Sequence, residues 1–194
     1  MNVNVAEPIT QDIGHIIVQP SQPNDRAAIY DLLMTSDLFG KTDADCVDEM
    51  FASTWKALEA DPNADTYYWL SCYKGDAGDM DEVRRTSEGS AELVGFACFG
   101  TESLTHNTWD LFWVCVRPKV RGKGVARALM QQVQSQARAH GARLMVIYTS
   151  STPPYAPARA LYQSHGFVRT AVVPEYYNVG DDLYIYMKRL EIRD

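Results

Sequence analysis

The segment Arg121-Gly122-Lys123-Gly124-Val125-Ala126 constrains this chain more than any other. It follows an apolar run, Leu111 to Val116, and a turn at Pro118. It opens a stretch with Val125, Leu129, Val133 and Ala137 at helical spacing. A strand therefore runs into a glycine-bearing turn, and the turn into an amphipathic helix. That order aims several backbone N–H groups at one point, with the positive end of the helix dipole behind them. Such a turn is a cradle for an anion the size of a pyrophosphate.

Known nucleotide cradles do not fit it. A dinucleotide fold places GxGxxG after its first strand, with an acid about twenty residues on. Here the turn comes late, and only Gly122 and Gly124 are present. A P-loop needs GxxxxGK followed by Ser or Thr, which is absent. The net charge of −7 argues against nucleic acid as a partner, because phosphate binders need basic stripes. The first fourteen residues have no basic start and no long apolar core, and no run has the length to span a bilayer. A cytoplasmic protein without membrane association is expected. The four cysteines form no CxxC pair, and with the four histidines they complete no metal-ligand spacing. No metal is expected, and Cys46, Cys72, Cys98 and Cys115 read as buried reduced thiols.

The remaining pattern predicts one mixed α/β domain over 14–194, preceded by a flexible polar segment over 1–13. Ile16 to Val18 reads as a strand. Helices are expected from Asn24 or Asp25 to about Met34 and from Thr42 or Asp43 to the Asp61-Pro62 stop. Thr66–Tyr73 and Ala91–Gly100 read as strands around an exposed hairpin loop, Gly75 to Ser90. Trp109–Val116 follows after a turn at His106-Asn107. A tight turn there sets Cys98 beside Cys115, and a bulge breaks that match. The cradle helix stops at His140-Gly141, and a strand over Arg143–Tyr148 comes next. A second helix runs from Pro157 to His165-Gly166. The last strands are Phe167–Val173 and Leu183–Leu190, joined through Pro174 to Asp182.

The stretch Val114 to Met130 resembles the acyl-CoA signature of the GNAT superfamily of N-acetyltransferases, with Arg121, Gly124 and Ala126 at its matching positions. Ala158 to Phe167 resembles that superfamily's second motif, and Glu175 to Met187 its last strands. The resemblance implies a mostly antiparallel sheet with one splayed parallel pair and flanking helices. It implies acetyl-CoA as co-substrate, with pantetheine on the backbone of Val114, Cys115 and Val116. The pyrophosphate would lie on the turn from Arg121 through Gly122, Lys123, Gly124, Val125 and Ala126 to Arg127.

The implied activity is acetyl transfer to a primary amine of a small molecule or peptide, by direct attack in a ternary complex. Its rival is a catalytically silent acyl-CoA-binding sensor or interaction module. By the same resemblance the strand N–H near Val116 receives the oxyanion, Tyr162 protonates the departing thiolate, and a homodimer is expected. A lysine-like amine is mostly protonated at neutral pH and needs a base. The end of the strand at Tyr148-Thr149-Ser150 holds no acid, which leaves Asp110 as the candidate, ahead of Glu102 and His106. Tyr155 stands where many relatives place an asparagine. Asp37, Asp43, Asp45, Asp48 and Glu49 either attract a cationic acceptor or form a solvated helix start.

Overall fold

The computed structural model describes residues 9–11, 16–75 and 91–190. The expected hairpin loop over 76–90 and most of the expected flexible segment 1–13 lie outside the described residues. Among the described residues the helices and strands are β1 (Ile9–Gln11), β2 (Ile16–Pro20), α1 (Arg26–Met34), α2 (Lys41–Ala60), β3 (Tyr68–Lys74), β4 (Glu92–Thr101), β5 (Thr108–Val116), α3 (Val125–Ala139), β6 (Leu144–Ser150), α4 (Ala156–Ser164), β7 (Val168–Asn178) and β8 (Asp181–Arg189). The strands form one mixed sheet in the order β1-β2-β3-β4-β5-β6-β8-β7. Every pairing is antiparallel except β5 with β6.

The helices cover both faces. Val125, Leu129, Val133 and Ala137 of α3 are at most 2% exposed and pack with Leu70, Val94, Ala97 and Phe99 of the sheet. On the opposite face, Leu32 and Leu33 of α1 and Val47 and Phe51 of α2 pack with Trp69, Phe96 and Cys98. The helix α2 begins after Gly40, one or two residues before Thr42 or Asp43. The Asp43 carboxylate accepts a bond from the Gly40 N–H at 2.8 Å, satisfying a donor at the helix start. The seat of α3 on β4 depends on Gly95. A Cβ there would stand 3.0 Å from Val125 Cγ1 and 3.1 Å from both Leu129 Cδ1 and the Cys115 carbonyl.

Two sequence expectations about register are corrected. The loop after β4 spans 102–107 and is closed by the Glu102 N–H on the Thr108 carbonyl. Leu104 and Asn107 take positive φ there, so the turn is longer than the expected His106-Asn107 turn. A bulge at Phe112 shifts the pairing again. Cys98 therefore faces Trp113, and Cys115 faces Phe96. Cys72, Cys98 and Cys115 are buried, as expected, but Cys46 lies exposed on α2. The connection expected over Pro174 to Asp182 is instead mostly strand. β7 continues to Asn178 through an irregular stretch with Glu175 at φ 51°, and only Val179-Gly180 turn. Pro174 is tolerated because β7 is the outermost strand.

Candidate active site

The parallel pair defines the site. β5 and β6 pair at only three positions, Thr108 with Leu144, Trp109 with Met145 and Asp110 with Val146. Beyond Asp110 they diverge, and the rest of β6 pairs with β8 alone. Asp110 thus sits at the vertex of a V whose one arm is Leu111 to Val116. Along this arm the Arg117 N–H donates to the Val94 carbonyl at 2.9 Å. Backbone groups alternate in direction along a strand, so Cys115 also turns its amide and carbonyl toward β4. Val114 and Val116 turn theirs into the opening.

One cleft of about 340 Å³ runs from this arm to the turn before α3. Val114, Cys115 and Val116 form one side, and Arg121, Gly122, Gly124, Val125, Ala126 and Arg127 form the end. Gly122 and Gly124 have φ of 75° and 85°, the left-handed region where a Cβ is costly. The turn spends the N–H groups of Arg121 and Lys123 on the carbonyls of Pro118 and Val120. The N–H groups of Val125, Ala126 and Arg127 have no acceptor within their own helix, because they form its first turn. A Cβ placed on Gly122 would meet nothing within 4 Å. Open space over unspent donors at a helix N-terminus fits a pyrophosphate.

The structure distributes the turn's side chains unevenly. Lys123 is exposed and does not line the cleft. The Arg121 guanidinium makes a two-pronged pair with Asp37, at 2.6 and 2.9 Å, which holds the Asp37 carboxyl below its usual range. This pair ties the loop between α1 and α2 to the end of the cleft.

A second cleft of about 510 Å³ opens on the other side of the V. It shares Leu38, Val114 and Ala158 with the first, so the two are continuous. Asp110 is one of its lining residues and is 5% exposed. Its Oδ1 is fully buried without a hydrogen-bond partner. Burial, reinforced by the nearby Glu102 charge and opposed by the Leu111 N–H, raises this carboxyl to about 7. Tyr162 also lines the cleft, is 5% exposed, and rests edge-on against Tyr186 at 5.9 Å. Burial pushes its hydroxyl well above the usual phenol range. His106 lies exposed in the β4–β5 loop, with its carbonyl holding Arg143, and does not line the cleft.

The acidic cluster resolves into local pairs. Asp37 binds Arg121, Asp45 binds Lys41 at 2.6 Å, and Asp48 binds Arg26 at 2.7 Å. Glu49 is exposed and outside the cleft, and only Asp43 lines it. Sequence reasoning missed most of the cleft's walls: Phe39, Trp113, Tyr148, Tyr177 and Asp181 all line it. Their elements are distant in sequence, so no local motif marks them. Tyr155 stands in the Pro153–Tyr155 turn and lines the same cleft.

A splayed parallel pair, a glycine-bearing turn at one end and a lined cleft at the other make up the candidate site. Residues 85–169 match the family model described as Acetyltransferase (GNAT) domain. A GNAT-family acetyltransferase structure from Desulfovibrio desulfuricans is similar at 26% identity and a TM-score of 0.76, covering 91% of this chain and 99% of that one. The ribosomal-protein-S18-alanine N-acetyltransferase of Escherichia coli is similar in fold, at 18% identity and a TM-score of 0.66, over 92% and 96% of the two chains. So is an acetyltransferase from Salmonella typhimurium solved with acetyl-CoA, at 22% identity and 0.63, over 92% and 95%. No curated protein matches the chain. Residues 85–169 thus match a GNAT acetyltransferase domain, and the fold is similar to those of GNAT acetyltransferase structures. Among the described residues no group of His, Cys, Asp or Glu is arranged to hold a metal, and no helix is long and apolar enough to cross a membrane.

Proposed function

We propose that this chain is an N-acetyltransferase that moves an acetyl group from acetyl-CoA to a primary amine by direct attack, within a single domain over 14–194. The observation that carries the reading is that Val114 lines both clefts, with the unpartnered Asp110 oxygen at the vertex of the second cleft, four residues back along the same strand. When bound, acetyl-CoA supplies an acetyl group activated as a thioester.

The chain's residues divide the work. The first turn of α3 holds the pyrophosphate with its unspent N–H groups, and the backbone of Val114 and Val116 pairs with pantetheine amides. Val114 lines both clefts and turns its N–H into the opening, so it would be the donor to the oxygen that gains negative charge. Asp110, raised to about 7, would take a proton from the amine through bridging water near neutral pH. Tyr162 gives a proton to the departing sulfur. Burial keeps the hydroxyl protonated in the resting site but also makes it a weaker acid than the thiol it would form, so the transfer needs the departing thiolate to be made more basic by the same desolvation.

Thiol release from acetyl-CoA across a panel of primary amines tests the activity. Cofactor binding without release on any amine would leave the silent binding module. Tyr162→Phe keeps the ring against Tyr186 and removes only the hydroxyl. Its turnover number is expected to fall by about 10²-fold, the low end for a lost general acid, with acetyl-CoA affinity unchanged. An undiminished rate removes Tyr162 from the mechanism.

A further inference from the structure

We propose that the acceptor of this site is a primary amine carried on an aromatic body, of the arylalkylamine type. The inference rests on the N-acetyltransferase reading above and gives its acceptor class.

The cleft lining is rich in aromatic rings. Phe39, Phe112 and Trp113 come from the α1–α2 loop and β5, and Tyr148, Tyr155 and Tyr177 from β6, the turn before α4 and β7. These rings are buttressed: Phe39 meets Trp113 edge-on at 5.5 Å, Tyr67 backs Phe112 at 5.3 Å, and Tyr176 backs Tyr177 at 5.0 Å. Rings fixed in this way gain contact area with little loss of freedom on binding. Tyr148 and Tyr177 are 45% and 47% exposed, large apolar faces that an aromatic guest would cover.

Asp110 is the carboxylate placed to meet the reacting ammonium. Three carboxylates line the cleft, from Asp43, Asp110 and Asp181. Asp43 already accepts from the Gly40 N–H, and Asp181 from the Ser150 hydroxyl at 2.6 Å and the Ser151 N–H at 3.2 Å. Asp110 alone among them has an oxygen recorded as buried and unpartnered. Farther out, Asp37, Asp45 and Asp48 are committed to Arg121, Lys41 and Arg26. A polyamine or aminoglycoside would leave the cleft's rings uncovered, whereas an aromatic body buries them. An ammonium entering past tyrosine and tryptophan faces is favoured on its way to Asp110.

The transfer balances. The amine nitrogen forms the new bond to the acetyl carbon, and the carbon–sulfur bond breaks with its electron pair on sulfur. One proton of the ammonium leaves through Asp110 to water, and a second leaves the nitrogen for water after attack. Tyr162 protonates sulfur and is reprotonated from water. The products are the N-acetyl amine, free CoA thiol and one proton.

The test uses the full chain, with acetyl-CoA for turnover and CoA for calorimetric binding. The panel is 2-phenylethylamine, propylamine, spermidine, kanamycin and an alanine-initiated peptide. We expect kcat/KM for 2-phenylethylamine to exceed that of every other member by at least about tenfold, the discrimination an apolar pocket gives per group recognised. Tyr177→Ala, at an exposed position, should weaken 2-phenylethylamine binding several-fold and leave the acetyl-CoA dissociation constant unchanged. Preference for spermidine, kanamycin or the peptide overturns the acceptor class and leaves N-acetyl transfer standing. Tight 2-phenylethylamine binding without turnover of any amine overturns the transfer reading and leaves the pocket's ligand class. Absence of both binding and turnover of 2-phenylethylamine overturns the acceptor class.

Discussion

Asp110→Asn is expected to abolish most activity and to stabilise the protein at the same time. The carboxyl is buried at the vertex of the splayed strands with one oxygen unpartnered. The loss of a general base costs about 10² to 10⁴ in turnover. The rate of the wild type should rise with pH through about 7, as the carboxyl ionises, and the variant should lose that limb. The stability effect has a definite sign. Folding raises this carboxyl from 3.8 to about 7, so between those values the folded state holds a proton that the unfolded state has released. Stability therefore falls as pH rises through the window, and the fall is complete above about 7. The ionised carboxylate then costs at most on the order of 4 kcal/mol, which asparagine does not incur. Thermal unfolding of both proteins from pH 4 to 8 should show little difference at the acid end and a widening gap in favour of the variant. Unchanged kinetics would remove Asp110 as the base. A variant less stable than wild type at pH 8 would remove the account of the strained carboxyl.

Gly124→Glu is expected to eliminate acetyl-CoA binding while the fold survives. Gly124 is the residue before α3 and sits at φ 85°, where a side chain costs about 1–2 kcal/mol. That strain is tolerable for most domains. Binding fails for a different reason. The new carboxylate can occupy the N–H groups of the first turn itself, and it repels the pyrophosphate they otherwise receive. A loss of affinity of at least about 10²-fold corresponds to roughly 2.7 kcal/mol, less than one charge conflict at close range. Gly124→Asn separates the two effects, because asparagine adopts the left-handed conformation and carries no charge. It should retain clearly more affinity than the glutamate variant. Calorimetric titration with acetyl-CoA reads both, and retained affinity in Gly124→Glu removes the cradle.

The glycine turn before α3 was legible in the sequence because its geometry is local. Strand, Pro118 turn, two glycines and an amphipathic helix are contiguous, and backbone donors need no particular side chains. The sheet's mixed character followed from the order of elements and the resemblance together. The acceptor cleft was not legible, because its walls come from the α1–α2 loop, α2, β5, β6, the turn before α4, and the β7–β8 hairpin. The cluster from Asp37 to Glu49 shows why. Acids are visible in a sequence, but Arg26, Lys41 and Arg121 become their partners only after folding. Register was lost to the loop, which is centred near Thr105 and carries Cys98 away from Cys115; the bulge at Phe112 returns one residue of that shift. The long final hairpin was hidden by Pro174, which reads as an end until the strand is known to lie at the sheet's edge.

Gly95 has no face toward either cleft, yet it sets the height at which the cradle stands. The Cβ that it lacks would press on Val125, the first residue of α3, and on Leu129 one turn later. A helix of this length moves nearly as a rigid rod, so a displacement imposed beneath its first turn reappears at the donors on its tip. Selection on cofactor affinity would therefore act on a residue sealed in the sheet, and a sequence survey that sorted positions into packing and recognition would file Gly95 on the wrong side.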